Sequence, residues 1–198
     1  GDADKITTSG EIHFKPLTAT DTIGVAGETG TLKLAGNLFD NGGTITDGAS
    51  LITIGHEDQS GKITVGASTF RDPVRFQATA TGGSIETTGK ITGSGDASVH
   101  LAAAPTTVTL GADIVTAGET ITVDDGNSGL TTIVLGDDVA LDTTNSGGST
   151  DGANITLRGA VDGADDDTQS LTLDAGTDGV VEVTDAIGGG TNTQLASL

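Results

Sequence analysis

The chain has 198 residues, of which 34% are hydrophobic and only 2% aromatic, and its formal net charge at pH 7 is −20. The absence of cysteine excludes a disulfide scaffold, thiolate metal sites and cysteine nucleophiles. The strongly acidic balance argues against nucleic acid and anionic lipid as partners, because binding them needs a basic surface. No apolar run reaches the length of about 18 residues that a membrane-spanning helix needs, so we expect no membrane insertion.

Short units of the form apolar–X–apolar recur along the whole chain, where X is usually Thr, Lys, His or Glu. In a strand, this alternation directs two side chains inward and one outward. The two-residue spacing of Ile, Val and Leu favours an ordered chain over a disordered one, and the Gly, Asn, Asp and Ser residues between units are typical of turns. In chain order, the predicted strands are EIHF (11–14), TIGV (22–25), TLKL (31–34), LITI (51–54), KITV (62–65), VRFQ (74–77), SIET (84–87), SVHL (98–101), TVTL (107–110), TITV (120–123), TIVL (132–135), VALD (139–142), NITL (154–157), SLTL (170–173) and VVEV (180–183).

The spacing between units is about ten residues, which is typical of successive short strands. It is not fixed, because Ile52 and Ile63 are farther apart than Val99 and Val108. Such spacing fits either an antiparallel β-sandwich module of an adhesin or a β-solenoid of stacked coils. Strands with only two or three inward residues, and few two-residue hairpin turns, favour the solenoid. At about 20–30 residues per coil we expect roughly seven to ten coils and a length on the order of 40 Å.

We interpret residues 1–198 as one continuous solenoid segment, a slice or repeat unit of a longer protein or fibre. Neither terminus shows a helical cap, and LASL (195–198) has the pattern of another strand beginning. An open solenoid end exposes unpaired strand edges. We therefore expect copies of the chain, or adjoining repeats, to be its end-to-end partners.

Three segments share recognisable repeat motifs. They are residues 10–34, residues 50–78 and residues 155–183, the last followed by 186–198. The pattern V-D-G…S-L-T-L-x-A-G-x-x-G-x-V-x-V…I-G-G…L-x-S-L is the most specific part. These segments resemble repeats of very large bacterial surface proteins of the filamentous-haemagglutinin type. The resemblance implies a secreted, right-handed parallel β-helix that serves in adhesion, aggregation or surface coating. The sequence contains neither the N-P-N-G signature of that family's secretion domain nor an RGD motif, so the resemblance implies a rod but no particular ligand.

The three histidines are candidates for ligands or bases. His13 and His100 occupy the outward position of their strands, where a solvated side chain is the expected role. His56 opens the turn His56-Glu57-Asp58, which has the residue types of a metal site, although turns are often rich in such residues.

Runs of aspartate are the stronger candidates for a metal site. Calcium prefers about six to eight oxygen ligands, which solenoid turns can supply. The sequence has no EF-hand loop and no nine-residue calcium repeat, and a merely soluble acidic surface is the alternative. Weak calcium binding is therefore a hypothesis, and no other cofactor is expected. The candidate residues are Asp124, Asp125, Asp137, Asp138, Asp165, Asp166 and Asp167.

Parallel β-helices also include polysaccharide-cleaving enzymes, whose grooves usually carry aromatic side chains. Tyr and Trp are absent here, and we expect Arg71 and Arg75, which flank Asp72-Pro73, to pair locally with acids. We predict no catalytic residues and no enzyme activity. The predicted function is that of an extracellular structural or adhesive segment at a bacterial cell surface, which provides spacing, coating or attachment, with surface glycans and host or other cell surfaces as candidate partners. The alternative is a β-helix that binds or cleaves carbohydrate.

Overall fold

The computed structural model describes residues 5–103, 107–126, 131–190 and 193–198, and these residues form nineteen strands and one 3₁₀ turn, Gly36–Leu38. The prediction of uncapped ends covers residues 1–4 and 191–192, which lie outside the described residues. The strands are β1 (Glu11–Phe14), β2 (Ile23–Val25), β3 (Leu32–Leu34), β4 (Leu51–His56), β5 (Ile63–Val65), β6 (Ser68–Phe70), β7 (Val74–Ala78), β8 (Ile85–Thr87), β9 (Ile91–Gly93), β10 (Val99–Ala103), β11 (Thr107–Leu110), β12 (Ile114–Val115), β13 (Ile121–Asp124), β14 (Thr131–Leu135), β15 (Val139–Asp142), β16 (Ile155–Leu157), β17 (Gly159–Gly163), β18 (Leu171–Asp174) and β19 (Val181–Val183).

The strands form three sheets. Sheet A has the order β1-β4-β7-β10-β13-β16-β19, sheet B the order β17-β14-β11-β8-β5-β2-β3, and sheet C the order β18-β15-β12-β9-β6. Strand pairing within each sheet is parallel throughout the described strands. Three consecutive strands such as β7, β8 and β9 belong to sheets A, B and C in turn, and each coil from β4 to β18 contributes one strand to every sheet. The structure is a parallel β-helix, which confirms the predicted solenoid and rules out the antiparallel sandwich.

Apolar side chains of successive coils stack in columns, and this stacking sets the register between coils. In sheet A, Val99 lies beside Val74 on one side and Ile121 on the other. From Val74 to Val99 and on to Ile121 the chain has the predicted coil length of about 20–30 residues, whereas the coil from Ile121 to Ile155 is longer. Seven strands in sheet A span six intervals, or about 29 Å at a strand spacing of about 4.8 Å.

The core is aliphatic along most of its length, and the only aromatic side chains collect near the N-terminal end. The four phenylalanines form one chain of ring contacts, from Phe14 to Phe39 (6.0 Å between centroids), Phe70 (4.7 Å) and Phe76 (5.7 Å). Phe39, Phe70 and Phe76 are buried, and Phe14 packs against the core from its edge. These rings supply bulk where the first coils are irregular.

An N-terminal lobe, residues 26–46, explains that irregularity. After β2 the chain turns back, and β3 pairs with β2 on the side away from β5. The 3₁₀ turn follows, and Leu34, Phe39 and Ile45 are buried in the core at this end. The lobe lengthens the first coil, so the interval between Ile12 and its partner Ile52 is longer than the intervals between later partners in sheet A.

The C-terminal coil continues all three sheets. β19 extends sheet A, a parallel bridge between Ile187 and Val161 extends sheet B, and a parallel bridge between Ser197 and Ser170 extends sheet C. The predicted strand at 195–198 is therefore present only as a single bridge. Because one side of this coil has no neighbour in the described chain, Val181 is 41% exposed although its column partners are buried.

Each of the fifteen predicted strands overlaps an observed strand, but β6, β9, β12 and β17 were missed. Three of these belong to sheet C, whose strands are short and include inward-facing small residues, as in Ser68-Thr69-Phe70 and Ile91-Thr92-Gly93. Their apolar alternation is too brief to be distinguished from a turn in the sequence.

Candidate functional site

The aspartates predicted to bind calcium lie at two different corners of the coil. Asp124 ends β13 and Asp125 follows it, at the corner between sheets A and B, whereas the other two groups follow β14 and β17, between sheets B and C. Asp138 accepts a hydrogen bond from the Ser170 backbone N–H (2.8 Å), and Asp166 accepts one from that of Gln194 (3.3 Å). These carboxylates thus connect neighbouring coils, and calcium binding by this set stays a prediction.

Asp124 is buried and pairs with a histidine of the preceding coil. His100 Nε2 lies 2.7 Å from Asp124 Oδ1, which also accepts the Gly126 backbone N–H at 2.6 Å. Burial raises the pKa of Asp124, but the hydrogen bond and charge of His100, with Gly126 and Arg75, together lower that pKa below its ordinary value. The sequence predicted a solvated His100, but in the structure its side chain is partly buried against the Asp124 carboxylate.

The other predicted polar residues have local or modest roles. His13 Nε2 lies 2.9 Å from Glu11 Oε2 on the exposed face of β1. His56 Nδ1 accepts the Asp58 backbone N–H at 3.2 Å, so the His56 ring helps to close its own turn. Arg75 was expected to pair with a nearby acid, but its Nη2 donates to the Gly126 carbonyl at 2.8 Å.

Four charge pairs join adjacent coils, each between residues 24 positions apart. The pairs within the sheets are diagonal, because the register partner of His100 is Thr122 and Asp124 lies two positions farther along the strand. The expectation that Arg71 pairs locally in sequence was wrong, because its partner is in the preceding coil. The pairs are Lys62–Glu86, Arg71–Asp47, His100–Asp124 and Arg158–Glu182.

Asp47, Asp72 and Asp96 form an acidic cluster that the sequence reasoning missed. Among the described residues they are the one group of three acids or histidines whose ligand atoms lie within 4.8 Å of one another. They occupy the turns before β4, β7 and β10, so each is one coil from the next. The signal was therefore present in the sequence, but only at the coil length.

Neighbouring groups partly offset the negative charge of this acidic cluster. Asp72 is only 2% exposed, and burial raises its pKa; the Gly48 N–H, 2.6 Å away, opposes this rise, and the charges of Asp47 and Asp96 add to it. Arg71 Nη2 lies 2.5 Å from Asp47 Oδ2. Three carboxylates placed so closely can share a proton or attract a cation. The Gly48 N–H and the Arg71 side chain already contact two of them, so the turns are also stabilised without a proton or a cation.

A groove of about 540 Å³ lies between the N-terminal lobe and the outer face of sheet C. The lobe provides one wall, with Asn37 and Asp40, and strands β6 and β9 provide the other, with Thr69 and Thr92. Lys90, immediately before β9, lines the same groove. The sequence reasoning missed this site because its residues come from separate coils and belong to no motif.

Comparisons of the chain with protein-family models, with curated proteins and with solved structures find no match. In the part of the chain that the structure describes, no helix has the length and apolar character required to cross a membrane.

Proposed function

We propose that this chain is an extracellular structural and adhesive segment of a bacterial cell-surface or filament-forming protein, which provides spacing, coating or attachment. One observation carries the proposal: three parallel sheets extend through the described chain around one continuous core. In such an array each coil is stabilised mainly by its neighbours, so length can be added without a new fold. The resemblance of the repeat segments to filamentous-haemagglutinin-type proteins supports the surface location.

We propose further that the chain is not an enzyme. Sugar-cleaving sites usually combine paired carboxylates with aromatic platforms. The sequence contains no Tyr and no Trp, and its four Phe rings contact one another in or against the core. The acidic groups Asp47, Asp72 and Asp96 have no such platform available from the chain's own side chains.

Surface display tests the attachment function. The chain is displayed on a bacterial host, and attachment to glycan-coated and bare surfaces is measured under flow, with cell–cell aggregation measured in parallel. We expect the chain to increase attachment or aggregation relative to a displayed Ile121→Asp variant, whose buried charge unfolds the core. Equal behaviour of the two would contradict the proposal. Release of reducing ends from polysaccharides by the pure chain would support the carbohydrate-cleaving alternative.

End-to-end contact is the second part of the proposal. The large hydrophobic side chains that are exposed in the described chain belong to its two ends: Ile6, Leu17, Val180, Val181 and Leu198. Residues 100–198 contain sixteen of the 28 acids but only one of the eight Lys and Arg side chains, so the two ends also differ in charge. A contact between unlike ends is heterologous and extends into a fibre. Electron microscopy of the pure chain that showed only short single particles would count against this contact.

A further inference from the structure

The groove between the N-terminal lobe and sheet C brings several polar side chains together around one concavity. In the described chain, no hydrogen bond or ion pair engages the side chains of Asn37, Asp40, Thr69 or Thr92. Lys90 makes no direct hydrogen bond or ion pair either, although its charge helps to lower the pKa of Asp142. Elsewhere many outward polar side chains bridge adjacent coils. Four polar side chains without partners, and the Lys90 ammonium with its donors unpaired, are therefore available to a ligand around one concavity.

The chemistry of the lining indicates what that ligand would be. The Lys90 ammonium only donates hydrogen bonds, the Asp40 carboxylate only accepts them, and the Asn37 amide and the threonine hydroxyls do both. Thr69 and Thr92 are partners in adjacent strands, so their outward hydroxyls form a pair along the groove. Donors, acceptors and dual groups in one place match the hydroxyl groups of a sugar.

Charge distinguishes between classes of sugar. Lys90 and Asp40 give the lining no net formal charge, while the whole chain carries −20. An anionic saccharide would approach against that field. The volume of about 540 Å³ is within the range of small-molecule sites and suits a short oligosaccharide.

We propose that this groove binds a short, neutral oligosaccharide through Asn37, Asp40, Lys90 and the Thr69–Thr92 pair. The inference rests on the proposed attachment function and names its ligand class. With no aromatic ring to stack on a sugar, the single-site dissociation constant is on the order of 1 mM. Many copies at one cell surface would then provide useful avidity without a tighter site.

The test is a nuclear magnetic resonance titration of the ¹⁵N-labelled chain with maltotriose, cellotriose, mannotriose and trigalacturonate. We expect at least one neutral trisaccharide to shift the backbone signals of Asn37, Thr69, Lys90 and Thr92 and to leave sheet A unchanged. Shifts confined to another face, or no saturable shift with any neutral trisaccharide, would overturn the proposal. Tighter binding of trigalacturonate would overturn the assignment to a neutral sugar.

Two variants and one matched control complete the test. Thr92→Val keeps the branched shape of a strand residue and removes one hydroxyl, so binding should weaken about two- to tenfold. Lys90→Ala should weaken binding by a similar factor. Thr122→Val makes the same change on the outward face of sheet A, where binding should be unaffected. Unchanged affinity in both groove variants, with melting temperatures like the parent chain, would contradict the proposed contacts.

The two proposals fail separately. If the displayed chain promotes attachment but no saccharide shifts the groove signals, the groove assignment is wrong and the attachment function stands. If the groove binds sugar but display changes neither attachment nor aggregation, the attachment function is wrong.

Discussion

Val99 and Val181 occupy the same column of sheet A and provide a matched test of coil stacking. Val99 is 1% exposed between Val74 and Ile121, whereas Val181 is 41% exposed and stacks on Ile155 alone. Replacing Val99 with Ala removes two methyl groups, each worth about 0.8 kcal/mol of burial, and leaves a cavity. The free energy of unfolding should therefore fall by about 2 kcal/mol. The same change at Val181 should cost less than about 1 kcal/mol, because water and one neighbour already surround the side chain.

The assay is urea unfolding followed by circular dichroism, with calorimetry as a check that the transitions coincide. For a chain of this size, about 2 kcal/mol corresponds to a fall of about 4–8 °C in melting temperature for Val99→Ala. Equal losses for the two variants, or a larger loss at Val181, would refute the assigned columns. A change in the urea m-value for Val181→Ala alone would indicate that the last coil unfolds separately.

Three further changes test the turns and their charges. Because burial raises the pKa of Asp72, Asp72→Asn should stabilise the chain at neutral pH, and urea unfolding should show this gain shrinking as the pH falls through the raised pKa. Because the interactions of His100 and other neighbours hold the pKa of Asp124 low, Asp124→Asn should destabilise at neutral pH; the same titration should show the difference disappearing as the pH falls through that lowered pKa. Gly159 has a φ of +142°, and the Cβ of a Gly159→Ala variant would lie 1.7 Å from a backbone oxygen, so this variant should have a sharply lower melting temperature. Gly147 has a φ of +88° with open space around it, so Gly147→Ala should show only the cost of backbone strain. Similar melting temperatures for the two variants would contradict the placement of Gly159.

The sequence was sufficient to predict the solenoid because its signal is local. An alternating unit such as Ile-Thr-Val at 121–123 specifies a strand with one outward residue, and that is what β13 shows. Short, glycine-flanked units cannot bury their inward faces alone, which made stacking the consistent solution. Three strands of sheet C (β6, β9 and β12) were not predicted, because a single inward apolar residue, as in β9, shows no alternation.

The polar contacts could not be predicted in the same way because they depend on coil length. Arg71 contacts Asp47, and His100 contacts Asp124, because the fold places residues that are 24 positions apart on adjacent coils. The coil length varies, because the interval from Ile121 to its partner Ile155 is longer than the interval from Val99 to Ile121. The charge pairs all have a spacing of 24 residues, but strand partners recur at other intervals, so nothing in the local sequence singles out that spacing.

The N-terminal lobe is a third kind of feature, because it breaks the repeat. β3 has the same alternating pattern as the strands of the coils, yet it pairs with β2 outside the coil sequence. No local signal distinguishes it from a regular coil strand. Because the lobe forms one wall of the groove, the groove could not be predicted from the sequence either.

The most direct test of the parallel stacking is disulfide formation between outward positions of sheet A, because the chain has no cysteine of its own. Thr122 and Thr156 are partners in adjacent strands, and Glu182 is the next position in that column. Neighbours about 4.8 Å apart lie within disulfide range, whereas positions two strands apart, about 9.6 Å, lie outside it. Thr122→Cys with Thr156→Cys should oxidise to an intramolecular disulfide in the folded chain, and Thr122→Cys with Glu182→Cys should stay reduced. A disulfide in the second variant but not in the first would contradict the parallel coil register.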